Sequence, residues 1–232
     1  MKTAVLISGH MRTFPVCVHT LRHHVLRHYR NLTFYVSTVR DEQAETWKQL
    51  KTLFPGCPVY ADIVPKQPEL PELPEPVRFE PYARSVPTQA VLRQLWQLNE
   101  CWKLYERSGE RGHDVFIRAR PDLFFHGFRA PSMPGDGVAF VPWWGRFGGI
   151  NDRFAVMGCD AANAYHTTYS RLAELLEGGC PIHPESLIAE SLRATGCYAT
   201  DTLRATFSTL RVSGEMRPPE ISTIDIAEAA LR

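Results

Sequence analysis

The sequence has no long hydrophobic run. The apolar stretch near its start, Ala4–Ile7, spans four residues and is too short for the hydrophobic region of a signal peptide. No later stretch approaches the length of a membrane span. We therefore expect a cytoplasmic protein with no membrane span.

The sequence also has little net charge and no close pair of cysteines. Its 26 basic and 25 acidic residues give a net charge of +1, so there is no bulk attraction to nucleic acid or anionic membranes. Any phosphate binding must therefore be local. The cysteines lack the spacing of a zinc site, which predicts reduced structural thiols at Cys17, Cys57, Cys101, Cys159, Cys180 and Cys197.

Buried strands alternate with helices in the first part of the chain. Apolar and β-branched runs predict strands over 3–8, 32–38 and 59–64, with helices over 15–29 and 42–54 between them. This order predicts right-handed crossovers and an α/β fold with a mostly parallel central sheet flanked by helices. In such a fold, ligands bind beyond the carboxyl ends of the strands.

A proline-rich segment, 65–87, interrupts this pattern and is predicted to be a surface loop. After it, apolar residues from Val91 to Tyr105 recur at helical spacing, which indicates a long helix packed on the sheet. Further strands are predicted over 114–117, 138–141 and 206–212, and further helices after Asp160, Pro184 and Thr223. With no repeat and no clear boundary, we expect one domain over 1–232.

The segment Arg118-Ala119-Arg120-Pro121-Asp122 ends a predicted buried strand. Alternate side chains of an extended segment share a face, so Arg118, Arg120 and Asp122 are expected to project together. Two guanidinium groups suit a phosphate, and the carboxylate beside them suits a divalent cation or an arginine. The alternative is an ion pair between arginine and aspartate that fastens a loop.

Two other loops could take part in a site. Ser8-Gly9-His10-Met11-Arg12 follows the first strand, where a nucleotide usually lies in an open α/β sheet, although a plain turn is the alternative. The glycine-rich segment 145–154 contains Gly149, Asn151 and Asp152. Its polar side chains could bind sugar hydroxyl groups, or Asn151 and Asp152 could simply form a turn.

Histidine and glutamate residues give weaker signals. Glu185 could act as a general base toward an acceptor hydroxyl, or it could be an acidic residue that favours the start of a helix. His19 with His23, and His24 with His28, have metal-face spacing but no acidic residue between them as in a metalloprotease. We interpret them as a solvated helix face.

Three of these segments together resemble a loosely defined group of GT-A-type glycosyltransferase-like proteins from bacterial polysaccharide clusters and some viruses. The segments are AVLISGHMRTF, DVFIRARPDLFF and GGINDRFAVMG, and the resemblance extends over roughly residues 1–195. It implies a nucleotide-sugar donor bound at the carboxyl edge of the sheet.

The resemblance also implies a metal site that this chain matches in part. GT-A enzymes typically hold Mn²⁺ or Mg²⁺ against the donor diphosphate with an Asp-x-Asp motif. The matching position here is Arg120-Pro121-Asp122, so Asp122 is the single candidate metal ligand. Arg118 or Arg120 could supply part of the positive charge that a metal provides.

The sequence therefore predicts a glycosyltransferase that moves a sugar from a nucleotide-sugar donor to an acceptor hydroxyl of a glycan, a lipid-linked sugar or, least favoured, a nucleic acid. The alternatives are an inactive nucleotide- or glycan-binding protein and a phosphoryl or nucleotidyl transferase. Asp152 is the first candidate base and Glu185 the second. The remaining predicted contacts are Ser8, Gly9, Arg12, Arg118, Arg120 and Asp122 to the donor, with Gly149 and Asn151 on the sugar and acceptor side.

Overall fold

The computed structural model describes residues 1–66, 68–73 and 87–218, which form two sheets and the helices around them. The strands are β1 (Thr3–Ser8), β2 (Leu32–Val39), β3 (Val59–Val64), β4 (Val115–Ala119), β5 (Leu123–Phe128), β6 (Val138–Pro142), β7 (Phe154–Met157), β8 (Tyr198–Leu203), β9 (Ala205–Leu210) and β10 (Met216–Arg217). The α-helices are α1 (Phe14–Thr20), α2 (Gln49–Leu53), α3 (Thr88–Arg107), α4 (Cys159–His166), α5 (Leu172–Glu177) and α6 (Pro184–Ala194).

Within the described residues, the central sheet has seven strands in the order β3-β2-β1-β4-β7-β6-β8. Neighbours pair in parallel except on the two sides of β7, which is antiparallel to both β4 and β6. The predicted α/β class with a mostly parallel central sheet flanked by helices is confirmed. The predicted buried strand at Val115–Ile117 is confirmed as part of β4.

Alternation along the strands divides the core between the two faces of this sheet. On β1, Ala4 and Leu6 pack with α3 and α4, whereas Val5 and Ile7 pack with α1 and the second sheet. The second sheet has the order β10-β9-β5. Every residue of β1 is buried, as expected for a parallel strand covered on both faces.

The long helix predicted from the apolar stripe is α3. Its buried residues include Val91, Leu95, Leu98 and Trp102, so the face selected by sequence periodicity does lie against the sheet. The helix ends at Arg107, where the Ser108 hydroxyl donates a hydrogen bond to the Tyr105 carbonyl. On the other side of its first turns, Arg93 and Gln97 are not buried.

Some predicted helices are shorter than expected. The helix predicted over 15–29 is α-helical over Phe14–Thr20, π-helical over Leu21–Val25 and 3₁₀ over Leu26–His28. At the break, the Thr20 hydroxyl donates to the Cys17 carbonyl and accepts a hydrogen bond from the Phe125 amide. Such bonding of a threonine back to its own helix bends helices, and here it also joins the helix to β5.

Several predictions lie partly or wholly outside the described residues. Most of the segment 65–87 does, and its described positions 65, 66, 68–73 and 87 contain neither helix nor strand. The short helix predicted after Thr223 lies wholly outside.

Each of the predicted thiols is a free cysteine. Across the described ranges, no helix combines the length and apolarity needed to cross a membrane.

Candidate functional site

A pocket of about 370 Å³ opens at the carboxyl ends of β1 and β4. The chain builds β2 and β3 on one side of β1 and places β4 on the other, so this is the point where strand order reverses. Open α/β sheets bind ligands at this position. The lining residues are Ser8, Gly9, His10, Arg12, Thr13, Lys66, Ala90, Arg93, Gln94, Gln97, Arg118, Arg120, Pro121, Asp122, Leu210, Arg211 and Val212.

The turn after β1 lies directly against the turn after β4. Gly9 has a φ of +135°, a conformation that side chains disfavour, and a Cβ built on it would lie 3.1 Å from Cδ of Pro121. A glycine therefore suits both the backbone angle and the close approach. The Thr13 hydroxyl donates to the Leu210 carbonyl at 3.2 Å, which fixes the hairpin of β9 and β10 as a third wall.

The predicted donor-site residues Ser8, Gly9, Arg12, Arg118, Arg120 and Asp122 all line this one pocket. The structure thus brings these six residues together at one pocket, and their roles in binding a donor stay predictions. Sequence patterns did not identify the other charged contributors, Lys66, Arg93 and Arg211. Lys66 lies on a loop, Arg93 on α3 and Arg211 in the turn between β9 and β10, so only tertiary structure brings them to the strand ends.

Asp122 forms a two-point ion pair with Arg120. Arg120 Nε donates to Asp122 Oδ1 at 3.0 Å and Nη2 donates to Oδ2 at 2.7 Å. Burial opposes the charged form of Asp122, but the charge and hydrogen bonds of Arg120, with help from Arg211, outweigh it and lower the pKa of Asp122 below its ordinary value. The ion-pair alternative raised by the sequence therefore describes the contacts of Asp122.

Arg118 lies at the floor of the pocket and is 1% exposed. Its Nη1 donates to the backbone carbonyls of Ala119 at 2.6 Å and Ser8 at 3.3 Å. In the described structure, its Nε has no hydrogen-bond partner. Burial lowers the pKa of Arg118, while nearby Tyr165 opposes that shift.

Asp152, the first candidate base, lies behind the pocket wall. It is 2% exposed and does not line the pocket. The Nε2 group of Gln94, a lining residue on α3, donates a hydrogen bond to Asp152 Oδ2. Asp152 is therefore one residue removed from the pocket, and its predicted role as a base stays a prediction.

Glu185, the second candidate base, is also buried, at 5% exposure, and does not line the pocket. Its Oε2 lies 3.3 Å from Nδ1 of His183. Burial, and secondly the nearby charge of Asp152, raise the pKa of Glu185 well above its ordinary value, although Arg153 and Arg120 partly offset this. Its role as a base likewise stays a prediction.

Replacing Glu185 with glutamine is expected to stabilise the protein at neutral pH. Because its folded-state pKa is raised, Glu185 contributes most favourably below its unfolded pKa of about 4.3, and this contribution is lost as the pH rises through the folded pKa. Within that window one such group changes the free energy of unfolding by about 1.4 kcal/mol per pH unit. Urea denaturation of both proteins between pH 4 and pH 8 measures the difference. Parallel stability profiles for the two proteins would contradict this assignment.

The glycine-rich loop is folded against α6, and the side chain of Asn151 is bonded within this part of the chain. This residue is 0% exposed, its Nδ2 donates to the Trp144 carbonyl at 2.8 Å, and its Oδ1 accepts from the Arg153 amide at 3.0 Å. These contacts agree with the turn alternative, and the predicted sugar contact of Asn151 stays a prediction. At Gly149 an added Cβ would lie 2.2 Å from the Glu185 carbonyl, so packing alone requires a glycine there, and its predicted sugar contact stays a prediction.

The residues of the pocket do not fit a metal held by the protein. Asp122 is the single carboxylate of the lining, and both of its oxygens accept hydrogen bonds from Arg120. Mn²⁺ and Mg²⁺ require oxygen ligands, and the rest of the charged lining is cationic. Across the described residues, no three His, Cys, Asp or Glu side chains are grouped as a metal site would need.

Comparisons with known proteins found similarity only among solved structures. No family model matches the chain. No curated protein matches its sequence. Two crystal structures of the glycosyltransferase GlyE from Streptococcus pneumoniae TIGR4, one of them the apo form, are similar with 12% and 11% identity and a TM-score of 0.47. The alignments cover 86% of this chain but only 44% and 45% of GlyE. This chain thus spans less than half of that protein's length. An activity does not follow from similarity at this level, so a proposal for the function has to rest on the residues of the pocket.

Proposed function

We propose that the protein is a glycosyltransferase that binds the diphosphate of a nucleotide-sugar donor at the carboxyl ends of β1 and β4. The observation that carries this proposal is the charge of the pocket at the reversal of strand order. One paired carboxylate, Asp122, faces six basic side chains, which are Arg12, Lys66, Arg93, Arg118, Arg120 and Arg211. A lining of this kind favours a ligand with more than one negative charge.

The position of the charges suits the chemistry of sugar transfer. When the bond between the sugar and the diphosphate breaks, negative charge develops on the departing diphosphate. Fixed positive groups beside the departing diphosphate stabilise the transition state more than the ground state. Arg118, in β4, is bonded to two backbone carbonyls, and Arg120, just after the strand, is bonded to Asp122 at two points, so both side chains are fixed in position.

The acceptor hydroxyl must lose a proton in the same reaction. Asp152 is our first candidate for that base, and the contact with Gln94 places it immediately behind the pocket. A direct role requires Gln94 to move aside when donor and acceptor bind, because Asp152 does not line the pocket. We propose a glycan or lipid-linked sugar as acceptor, since the net charge of +1 offers no attraction to a nucleic acid duplex.

A screen of nucleotide sugars tests the proposal. The melting temperature is measured with each donor, because a ligand at 100 times its Kd stabilises a protein by about 2.7 kcal/mol. Donors that bind are then incubated with candidate glycans, and mass spectrometry follows both the donor and the products. Release of the nucleoside diphosphate with transfer of the sugar supports the proposal, whereas transfer of a phosphoryl or nucleotidyl group contradicts it.

Arg211 provides a more specific prediction. Its replacement by alanine is expected to weaken binding of the donor by about fivefold, or ~1 kcal/mol, because Arg211 is exposed and its charge is therefore screened by salt. Isothermal titration calorimetry at low and high salt measures the loss, which should shrink as salt increases. Arg217→Ala is the matched control, since Arg217 follows in the same hairpin but pairs with Glu215 and does not line the pocket. Equal losses in both variants would exclude a specific contact from Arg211.

A second candidate is a protein that binds the nucleotide diphosphate without turnover. The specific observation in its favour is that Asp122, the single carboxylate of the lining, is paired with Arg120, while Asp152 and Glu185 are buried. Tight binding of a nucleotide sugar with neither transfer nor hydrolysis, across a broad set of acceptors, would favour this candidate over the enzyme.

A further inference from the structure

Arg118 and Arg120 differ in how far their positive charges are neutralised by a neighbouring carboxylate. Arg120 is paired at two points with Asp122. Arg118 is almost completely buried and, within the described structure, has backbone carbonyls as its hydrogen-bond acceptors and no carboxylate in an ion pair. The guanidinium of Arg118 is therefore a buried positive charge that lines a pocket and, among the described residues, forms no ion pair, although the charge of Asp152 acts on it from a greater distance.

Such a group costs free energy in the unliganded protein. Removing a guanidinium from water is unfavourable unless an anion and further hydrogen bonds replace its hydration. The two carbonyls replace only part of the lost hydration, because they accept hydrogen bonds but carry no net charge. An anion that reached the floor of the pocket would supply the missing part and would find Arg12, Arg93 and Lys66 around its outer side.

We propose that this pocket binds a diphosphate directly, with Arg118 as its innermost anion-binding group, and that binding requires no divalent cation. The inference rests on the proposed function for the identity of the ligand as a nucleotide-sugar diphosphate. It does not rest on sugar transfer, because the anion site is defined by the charges of the pocket. The donor set agrees, since the carboxylate that would hold a cation is held by Arg120 instead.

An alternative explanation of Arg118 is purely structural. Its two hydrogen bonds join the carbonyls at the ends of β1 and β4, and they could serve only to hold those strand ends together. The two explanations differ in what happens when the charge is removed. A structural clamp that is lost destabilises the unliganded protein, whereas loss of a charge that has no ion-pair partner leaves the stability equal or higher and weakens binding of the anion.

The experiment measures binding of inorganic pyrophosphate by calorimetry, first with EDTA and then with excess magnesium. We expect binding in EDTA with a Kd within threefold of the value in magnesium. The Arg118→Met variant, which keeps the length of the side chain and removes its charge, is expected to lose at least 30-fold in affinity, equivalent to about 2 kcal/mol. Its melting temperature without ligand should equal or exceed that of the parent. Arg193→Met, at an exposed position on α6, is the control and should change neither quantity.

Each outcome bears on the proposal. Binding that appears only with magnesium overturns it, and so does an Arg118→Met variant that folds and binds pyrophosphate as the parent does. If that variant does not fold, Arg118→Lys, which retains the charge, is measured in its place. The comparison of EDTA with magnesium on the parent still decides whether binding requires a divalent cation. Uridine and guanosine diphosphates form the last arm. If pyrophosphate binds and neither nucleotide binds more tightly, the anion site stands and the proposed donor fails.

Discussion

Replacing Gly149 with alanine is expected to destabilise the fold by about 3 kcal/mol, the upper part of the usual range for overpacking. An added Cβ would lie 2.2 Å from both the carbonyl carbon and oxygen of Glu185 and 2.5 Å from the Ser186 amide nitrogen. These atoms belong to the backbone of α6 and cannot turn aside as the end of a side chain can. Urea denaturation at equilibrium measures the loss.

Gly178→Ala is the matched control. Gly178 follows α5 with an ordinary helical φ of −71°, and the nearest atom to its added Cβ is the Leu175 carbonyl oxygen at 3.4 Å. We expect a change within about 0.5 kcal/mol there. Similar losses in the two variants would contradict a close contact between the glycine-rich loop and the backbone of α6.

The Asp122→Asn variant is expected to lose about 2 to 3 kcal/mol of stability. Removing one partner of a fully buried pair costs roughly 3 to 5 kcal/mol, and the partial exposure of Arg120 and Asp122 reduces that figure. An asparagine also presents one amide group to a guanidinium that can only donate hydrogen bonds. Thermal and urea denaturation measure the change.

The pH dependence of this effect has a definite sign. Because the folded-state pKa of Asp122 is lowered, its contribution is fully present above the unfolded pKa of about 3.9 and is lost as the pH falls through the folded pKa. The parent and the variant should therefore differ most near neutral pH and converge in acid. Glu174→Gln is the control, because Glu174 forms a similar contact with Arg171 on the surface and should contribute little.

The same variant separates the two roles considered for Asp122. A metal ligand or an organiser of the diphosphate would leave the fold intact and reduce transfer steeply, with a 100-fold loss corresponding to about 2.7 kcal/mol. The two hydrogen bonds from Arg120 lead us to expect the loss mainly in stability. A variant with unchanged melting temperature and a 100-fold lower rate in manganese would restore the role as metal ligand.

The central elements could be predicted from sequence because their signals are local. β1 and β2 are predominantly apolar runs, and all of their residues are buried. The buried residues of α3 recur at helical spacing, so the pattern of apolar residues predicts these strands and this helix. β5 and β8 were not predicted. β5 contains a register shift between Phe125 and Gly127. β8 is an edge strand with two threonines, and only Leu203 of its six residues is buried, so neither strand has a clear period of two.

The candidate site divides in the same way. The strand ends at Ser8 and at Arg118–Asp122 could be predicted because parallel strands end at a common edge. The contributions of Arg93 and Arg211 could not, since each depends on how a distant element packs. The burial of Asp152 beneath Gln94 depends on a contact between positions 58 residues apart, and no local pattern in the sequence encodes it.

The hydrogen bond from Thr13 to Leu210 also has a consequence for folding. It joins positions 197 residues apart, and β1 pairs with β4 across more than a hundred residues as well. Closing loops of this length is entropically costly, and folds dominated by distant contacts form slowly. During synthesis the ribosome must release the segment around Leu210 before the third wall of the pocket can form. A nascent chain that has completed β1 to β4 therefore still lacks this wall, and we expect the pocket to be completed late, when the two distant parts of the chain meet.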